Sequence, residues 1–193
     1  MFATKIGAME DSASTVYLRP ETAQGIFTNF KNTVDAFHPK LPFGIAQIGK
    51  AFRNEITPRD FIFRLRELEA MEVEYFIRAE DWEKYFEYWK DEMISWMEEI
   101  GIDMTKVHEL EVGDGDRAHY SKRTVDFEFD FPFGRKELFG LAYRTNFDLT
   151  NHGLEYIDEE RKEKIVPHVI EPALGVDRAI LALLLSAYSE DEK

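Results

Sequence analysis

Residues 52–76 read FRNEITPRDFIFRLRELEAMEVEYF, and no other stretch limits the possible folds of this chain so tightly. Arg53, Arg59, Arg64 and Arg66 stand there among Glu55, Asp60, Glu67, Glu69, Glu72 and Glu74. The preceding run, GIAQIGKAFRNE, reads as a strand ending in Arg53 and Glu55, and the Thr57-Pro58-Arg59-Asp60 cluster breaks it. A second run starts at Phe61. Its even positions are Arg64, Arg66, Leu68, Ala70, Glu72 and Glu74, while the odd ones include Phe63, Leu65, Met71, Val73 and Tyr75. As a strand it has one ionic face and one largely apolar face, with Arg64, Leu68 and Glu72 in line about 13 Å apart. That spacing suits an extended ligand, because a guanidinium fork grips phosphate oxygens and a carboxylate holds an ammonium. An exposed helix accounts for the same i, i+4 spacing, and a window this short does not separate the two.

A chain of 193 residues that is 44% hydrophobic can bury one substantial core, so a single domain over residues 1–193 is expected. The longest apolar run, residues 179–185, is too short to cross a bilayer, and the N-terminus has no basic region followed by an apolar one. The absence of cysteine excludes a disulfide framework and a thiolate metal site, and fits a cytoplasmic setting. A formal charge of −14 works against tight RNA binding, which draws most of its affinity from neutralised phosphates.

Residues 15–19 alternate as a short strand, and Pro20 stands where a helix can begin. Ile26, Phe27, Phe30, Val34 and Phe37 follow at helical spacing, which makes Glu21 a first-turn carboxylate favoured by the helix dipole. Residues 80–100 carry an aromatic and methionine stripe at three- and four-residue steps, stopped by Gly101, and this is a core helix. Residues 103–120 read as an acidic, glycine-containing loop with His108 and His119 at the surface and no zinc pairing. Residues 123–131 alternate strictly, and a turn at 132–136 returns them as a hairpin. In the returning strand Gly140, Ala142 and Arg144 share a parity, giving a floor of small residues with one cation rising from it. Residues 151–164 are a polar connection, 165–171 a buried strand, 172–177 a turn and 178–188 a helix. Arg178 in that first helical turn opposes the macrodipole, and a residue placed against local preference is often functional.

Arg53-Asn54-Glu55, a loop, and then Arg64, Leu68 and Glu72 at four-residue steps resemble motif 2 of the class II aminoacyl-tRNA synthetases. The longer wording GIAQIGKAFRNEITPRDFIFR is similar to glycyl-tRNA synthetases of the homodimeric type. So are YLRPETAQGIF at 17–27, FGLAYRTNFDL at 139–149, and VIEPALGVDR at 169–178, which resembles motif 3. The resemblance implies an α+β fold, an antiparallel sheet flanked by helices, and ATP-dependent activation of glycine to glycyl-adenylate. In the complete enzyme the glycyl group passes to tRNA(Gly).

By the same resemblance Arg53 would hold the α-phosphate, Glu55 the adenine amino group, Arg64 the γ-phosphate and Arg178 the far face of adenine. Arg53 and Arg178 are the implied catalytic cations. Glu21 and Glu72 would anchor the substrate ammonium, Arg144 would contact the glycyl group, and Glu137 and Glu171 would bind Mg²⁺. Two positions depart from the family. Leu68 replaces a phenylalanine that stacks under adenine, and Ala173 replaces a serine directed at the amine. The family's motif 1, which builds its dimer interface, and its anticodon-binding domain have no counterpart in these residues, so a catalytic core is expected and dimerisation stays open. A synthetase-like binding or accessory protein that no longer charges tRNA is the competing reading, and the full set of charged residues favours the enzyme.

Overall fold

The strict alternation over residues 123–131 becomes one strand of a sheet on which both candidate ends of the site are built. The computed structural model describes residues 1–7 and 14–191. In chain order the elements are β1 (Ala3–Lys5), β2 (Thr15–Tyr17), α1 (Ala23–Phe37), β3 (Phe43–Phe52), β4 (Glu67–Ile77), α2 (Trp82–Glu99), β5 (Val107–Glu111), β6 (Arg123–Phe131) and β7 (Gly134–Thr145). They continue as α3 (Phe147–Asn151), β8 (Tyr156–Asp158), β9 (Glu163–Ile165), β10 (His168–Gly175) and α4 (Val176–Ala187). The main sheet is six-stranded and antiparallel in the order β3-β4-β10-β7-β6-β5, so the fold is α+β as expected.

Successive strand residues point to opposite faces. One face sends Phe127, Leu141, Tyr143 and Ile170 against Phe86, Met93 and Met97 of α2 and Leu181 of α4. The other sends Phe76 and Val169 against Ala23, Ile26, Phe27 and Phe30 of α1, with Leu149 of α3 beside them. The aromatic stripe of α2 is therefore core, and the helix ends where glycine allows it to. Gly101 takes φ +90, and its N–H reaches the Glu98 carbonyl while Ile102 reaches that of Met97, each at 3.0 Å. These two bonds satisfy carbonyls that the helix end leaves open.

Several boundaries differ from the sequence reading for local reasons. β4 begins at Glu67 rather than Phe61, because Asp60 and Phe61 take left-handed φ values of 61 and 55 and turn the chain. Arg64 consequently lies in the hairpin loop, bridged backbone-to-backbone with Arg59, and is not in line with Leu68 and Glu72 on one strand. Residues 107–111 form β5, a short polar strand at the sheet edge, where little apolar patterning is required. α1 starts at Ala23, past Pro20 and Glu21. The connection after α3 contains the β8–β9 hairpin. β10 runs through Pro172 to Gly175 even though it pairs on both sides, and α4 follows without a turn. Proline inside an interior strand gives up a ladder bond and is rare.

Phe76 is fully buried, with ring centroids 4.7 Å from Phe30 and 5.1 Å from Phe43. Phe76→Ala should therefore lower stability by about 3–5 kcal/mol in urea titrations. Ile48→Ala, on the exposed side of β3, should change it by less than about 0.5 kcal/mol. Equal losses in the two variants would contradict the placement of this core.

Candidate functional site

The register across the sheet lines up the residues that matter. Glu72 of β4 stands opposite Gln47 of β3 and Ala173 of β10, Ala173 opposite Gly140 of β7, and Gly140 opposite Asp126 of β6. Residues directly opposite in a ladder share a face. Between the acids Glu72 and Asp126 the row therefore carries only small side chains, which is the flat floor that the parity of Gly140, Ala142 and Arg144 predicts. A β-carbon built on Gly140 would lie 3.6 Å from Asp126 Oδ1 and 3.8 Å from Glu137 Oε1, so two carboxylates converge over that glycine.

An open cleft lies over this floor. Arg53, Glu55, Arg64 and Leu68 from the β3–β4 hairpin form one wall, Glu137, Gly175 and Arg178 another, and Glu72 and Ala173 line its base. Arg53 Nε donates to the Pro20 carbonyl at 3.3 Å. Arg64 Nη1 donates to Glu55 Oε2 at 3.1 Å. Arg178 sits with its guanidinium 4.3 Å over the Phe63 ring, and its Nη1 donates to the Glu137 carbonyl at 2.8 Å and to Glu137 Oε2 at 3.2 Å. Cations therefore gather at the hairpin end of the cleft.

Acids gather at the other end. Glu72 is 7% exposed, and its Oε2 accepts from the backbone N–H of Thr22 at 2.6 Å and also from the Thr22 hydroxyl. Thr22 is the residue just before α1, so a free N–H at the helix start orients the carboxylate. Arg144 is 1% exposed. Its Nε and Nη2 donate to the two Asp148 oxygens at 2.8 and 2.9 Å, its Nη1 donates to Glu171 Oε1 at 2.7 Å, and the Tyr120 ring lies 4.0 Å away. Burial works against the Arg144 charge, but the Asp148 hydrogen bonds and the nearby acids outweigh it and raise its pKa. Burial pushes Tyr120 up to about 12, aided by the charge of Glu171. Burial, with Glu137 and Glu128 nearby, lifts Asp126 to about 6.

Of the residues singled out in the sequence, Arg53, Glu55, Arg64, Leu68, Glu72, Glu137, Ala173 and Arg178 meet in this cleft. Glu21, Arg144 and Glu171 do not line it. Glu21 accepts from Gln24 Nε2 at 3.1 Å ahead of α1. Arg144 stands farther along the same face of β7, buried with three of its five N–H donors engaged, so it holds Asp148 and Glu171 rather than presenting a free guanidinium. The two acids expected to share Mg²⁺ are not brought together. Glu171 stands opposite Ala142, so Glu137 is roughly 15 Å away along β7, and one Glu171 oxygen belongs to Arg144. Among the described residues no three acids or histidines gather as a metal site. Glu137, with Asp126 beside it, keeps the hard oxygen donors that Mg²⁺ combines with nucleotide phosphates.

Sequence reasoning missed Phe63, Thr22 and Asp148. Phe63 carries only the signal of an aromatic on the apolar parity, and nothing local pairs it with Arg178. Thr22 lies inside the RPETAQG wording, but its partner is 50 residues away. Asp148 lies four residues beyond Arg144, and reading that spacing as an ion pair requires knowing that the chain turns at Thr145, with φ +57.

Residues 4–188 match the family model described as the tRNA synthetase class II core domain (G, H, P, S and T). The chain is similar to the glycine–tRNA ligase of Thermus thermophilus, at 49% identity covering 100% of this chain and 42% of that protein. It is also similar to the glycine–tRNA ligase of Lachnospira eligens, at 50% identity covering 100% of this chain and 43% of that protein. The chain thus spans less than half the length of these relatives. A solved structure, Giardia lamblia prolyl-tRNA synthetase in complex with prolyl-adenylate, superposes with a TM-score of 0.77 over 95% of this chain and 36% of that one, at 20% sequence identity, a likeness of fold.

Two outcomes follow from the site's electrostatics. Asp148→Ala leaves a buried Arg144 charge with a broken partner set and should cost about 3–5 kcal/mol in denaturant titrations. A loss under about 1 kcal/mol would mean that the guanidinium reaches water. Asp126 binds its proton up to about pH 6 in the folded chain, against an ordinary value near 3.9. Between those values the folded state holds more protons than the unfolded one, so stability falls as pH rises through that window. Asp126→Asn should remove this slope and be more stable than the parent near pH 7. Parallel stability profiles for parent and variant would contradict it.

Proposed function

The chain belongs to the class II tRNA synthetase core family, and from that premise we propose that it activates glycine with ATP to form glycyl-adenylate and pyrophosphate. The observation that carries this reading is the separation of charge along one cleft, with Arg53, Arg64 and Arg178 at one end and Glu72 at the other, over a floor of Ala173 and Gly140. Roughly 50% identity to glycine–tRNA ligases along the whole chain supports glycine as the substrate.

In this reading Arg53 takes the α-phosphate, Arg64 the γ-phosphate, Glu55 the adenine amino group and Arg178 one face of adenine. The pairs that now hold the arginines release them cheaply. Arg64 and Glu55 have side chains 39% and 26% exposed, and ion pairs at such sites are worth about 0–1 kcal/mol. A glycine carboxylate oxygen attacks the α-phosphorus, the bond to the bridging oxygen breaks, and its electron pair leaves with pyrophosphate. The nucleophile is already deprotonated, so the step needs alignment and charge neutralisation rather than a general base. Mg²⁺ arriving with the nucleotide would be held at Glu137 and would neutralise phosphate charge.

The substrate ammonium goes to Glu72, with Glu21 nearby. Selectivity for glycine would come from ammonium contacts together with exclusion of a β-carbon by the side chains crowded around Glu72, because rejection by clash discriminates more strongly than a lost methyl contact worth about 1–3 kcal/mol. Transfer to tRNA(Gly) in the cytoplasm follows where further segments supply RNA contacts, which this chain of charge −14 does not. Leu68 and Ala173 each remove one family contact, which is what the binding-protein reading draws on, while Arg53, Glu55, Arg64, Glu72, Glu137 and Arg178 line the cleft and favour the enzyme.

ATP–pyrophosphate exchange with a panel of amino acids tests the proposal. Exchange should depend on glycine and be lost in Glu72→Gln, and exchange with alanine equal to that with glycine would sink the pocket model. Arg53→Ala should lose about 1.5–3 kcal/mol of ATP affinity by calorimetry. Leu68→Phe should tighten ATP by adding a stacking surface worth about 1–3 kcal/mol, and an unchanged affinity would mean that adenine is supported elsewhere.

A further inference from the structure

Glu74 has no part in the site described above. It lies one step inward from Glu72 on the same face of β4, is 0% exposed, and neither of its carboxyl oxygens has a hydrogen-bond partner. An unpaired ionised carboxylate is the costliest group a protein interior can hold. The neighbouring strand makes the position worse for a charge. Ile170 pairs with Tyr75 and Ala173 with Glu72, so the register sets Glu171 directly opposite Glu74. Opposed residues on one face have β-carbons about 4.5–5.5 Å apart, where like charges repel.

Among the described residues that act most strongly on Glu74 and Glu171, Arg144 is the one cation. Glu72 shares the strand, Glu171 comes from β10, Asp148 from α3, Glu21 from the segment before α1 and Tyr120 from the loop before β6, against the single charge of Arg144 on β7. Arg144 is already bonded to Asp148 and Glu171. One proton shared between Glu74 and Glu171 relieves both the burial and the repulsion, as in other like-charge carboxyl pairs. Burial raises both acids, but Glu171 accepts a guanidinium hydrogen bond that pulls it back toward its ionised form and Glu74 accepts none, so the proton resides on Glu74.

We propose that Glu74 is held as a neutral carboxylic acid whose O–H donates a hydrogen bond to Glu171, and that it is a positioning residue for the acidic end of the cleft. Burial first, and then the Glu171 charge, raises the Glu74 pKa well above the usual carboxylate range, in keeping with this assignment. The donated hydrogen bond fixes the Glu171 carboxylate and through it Arg144, while removing a charge that would otherwise compete with Glu72 for the incoming ammonium. The kinetic consequence rests on the glycine-activation reading. The protonation state rests only on burial and register.

Two measurements on the full chain test the inference separately. Infrared difference spectra of protein with isotope-labelled glutamate, parent against Glu74→Gln, should show at neutral pH a protonated-carboxyl band that the variant lacks. Its absence from the parent overturns the proposal whether or not the chain activates glycine. In pyrophosphate exchange, Glu74→Gln, which is neutral and still donates, should keep the glycine KM within about threefold of the parent, whereas Glu74→Leu should raise it about tenfold or more with the ATP KM unchanged. If Glu74→Gln is as damaging as Glu74→Leu, a negative charge is required and the neutral-acid assignment is wrong. If Glu74→Leu matches the parent, Glu74 is packing alone and positions nothing. A parent without any exchange refutes glycine activation instead, and the infrared band then decides Glu74.

Discussion

The acidic end of the cleft depends on a guanidinium that never reaches solvent. Arg144 rises from β7, takes both oxygens of Asp148 on α3, and reaches Glu171 on β10 with a further N–H. A buried charge is tolerable only when its donors are met in good geometry, and the fork of arginine meets the Asp148 carboxylate at two points. α3 is five residues long, too short to stand on its own helical propensity, so its place against the sheet is set by Asp148 and by buried Leu149. The ion pairs therefore lock a strand, a short helix and the next strand into one unit. Glu72, Glu74 and the start of α1 are arranged around that unit.

Periodicity made the framework legible in the sequence. The strict alternation of β6 and the three- and four-residue stripe of α2 each bury one face, and each lies where the pattern puts it. Patterns failed where a local conformation or a distant partner decided the outcome. The left-handed Asp60 and Phe61 moved Arg64 off the strand, and an edge position allowed β5 to be polar. Glu72 and Glu74 stand in the sequence on the ionic face of the second run. They are buried, because the face they occupy is covered by the start of α1 and by the residues around Arg144. Thr22 with Glu72, and Arg144 with Glu171, are meetings that no local spacing encodes.

Leu68 acquires a different meaning once Phe63 is placed. Without the family's ring at that position, the cleft still holds an aromatic surface, since Phe63 lies under the Arg178 guanidinium at 4.3 Å and packs edge-on to Phe131 and Phe133 at 5.1 Å each. A cation over an aromatic face is attracted to it at this range, which helps hold Arg178 at the cleft wall. Ala173, standing between Glu72 and Gly140, leaves the floor without a hydroxyl beside a Glu72 carboxylate that Thr22 already orients.

Net charge and local charge then have to be reconciled. A chain at −14 repels a nucleotide polyphosphate at long range, yet at physiological ionic strength charges are screened over about 8 Å. What an arriving phosphate meets is therefore the hairpin end of the cleft, where Arg53, Arg64 and Arg178 stand together. Glu55 and Glu137, both partly exposed, hold Arg64 and Arg178 in place without binding them tightly. At the other end the acids exceed the one buried cation even when Glu74 carries a proton. On the proposed reading this gradient fixes orientation. An amino acid bound as a zwitterion has its ammonium drawn to Glu72 and its carboxylate drawn toward the arginines, which is the only arrangement that puts a carboxylate oxygen against the α-phosphate.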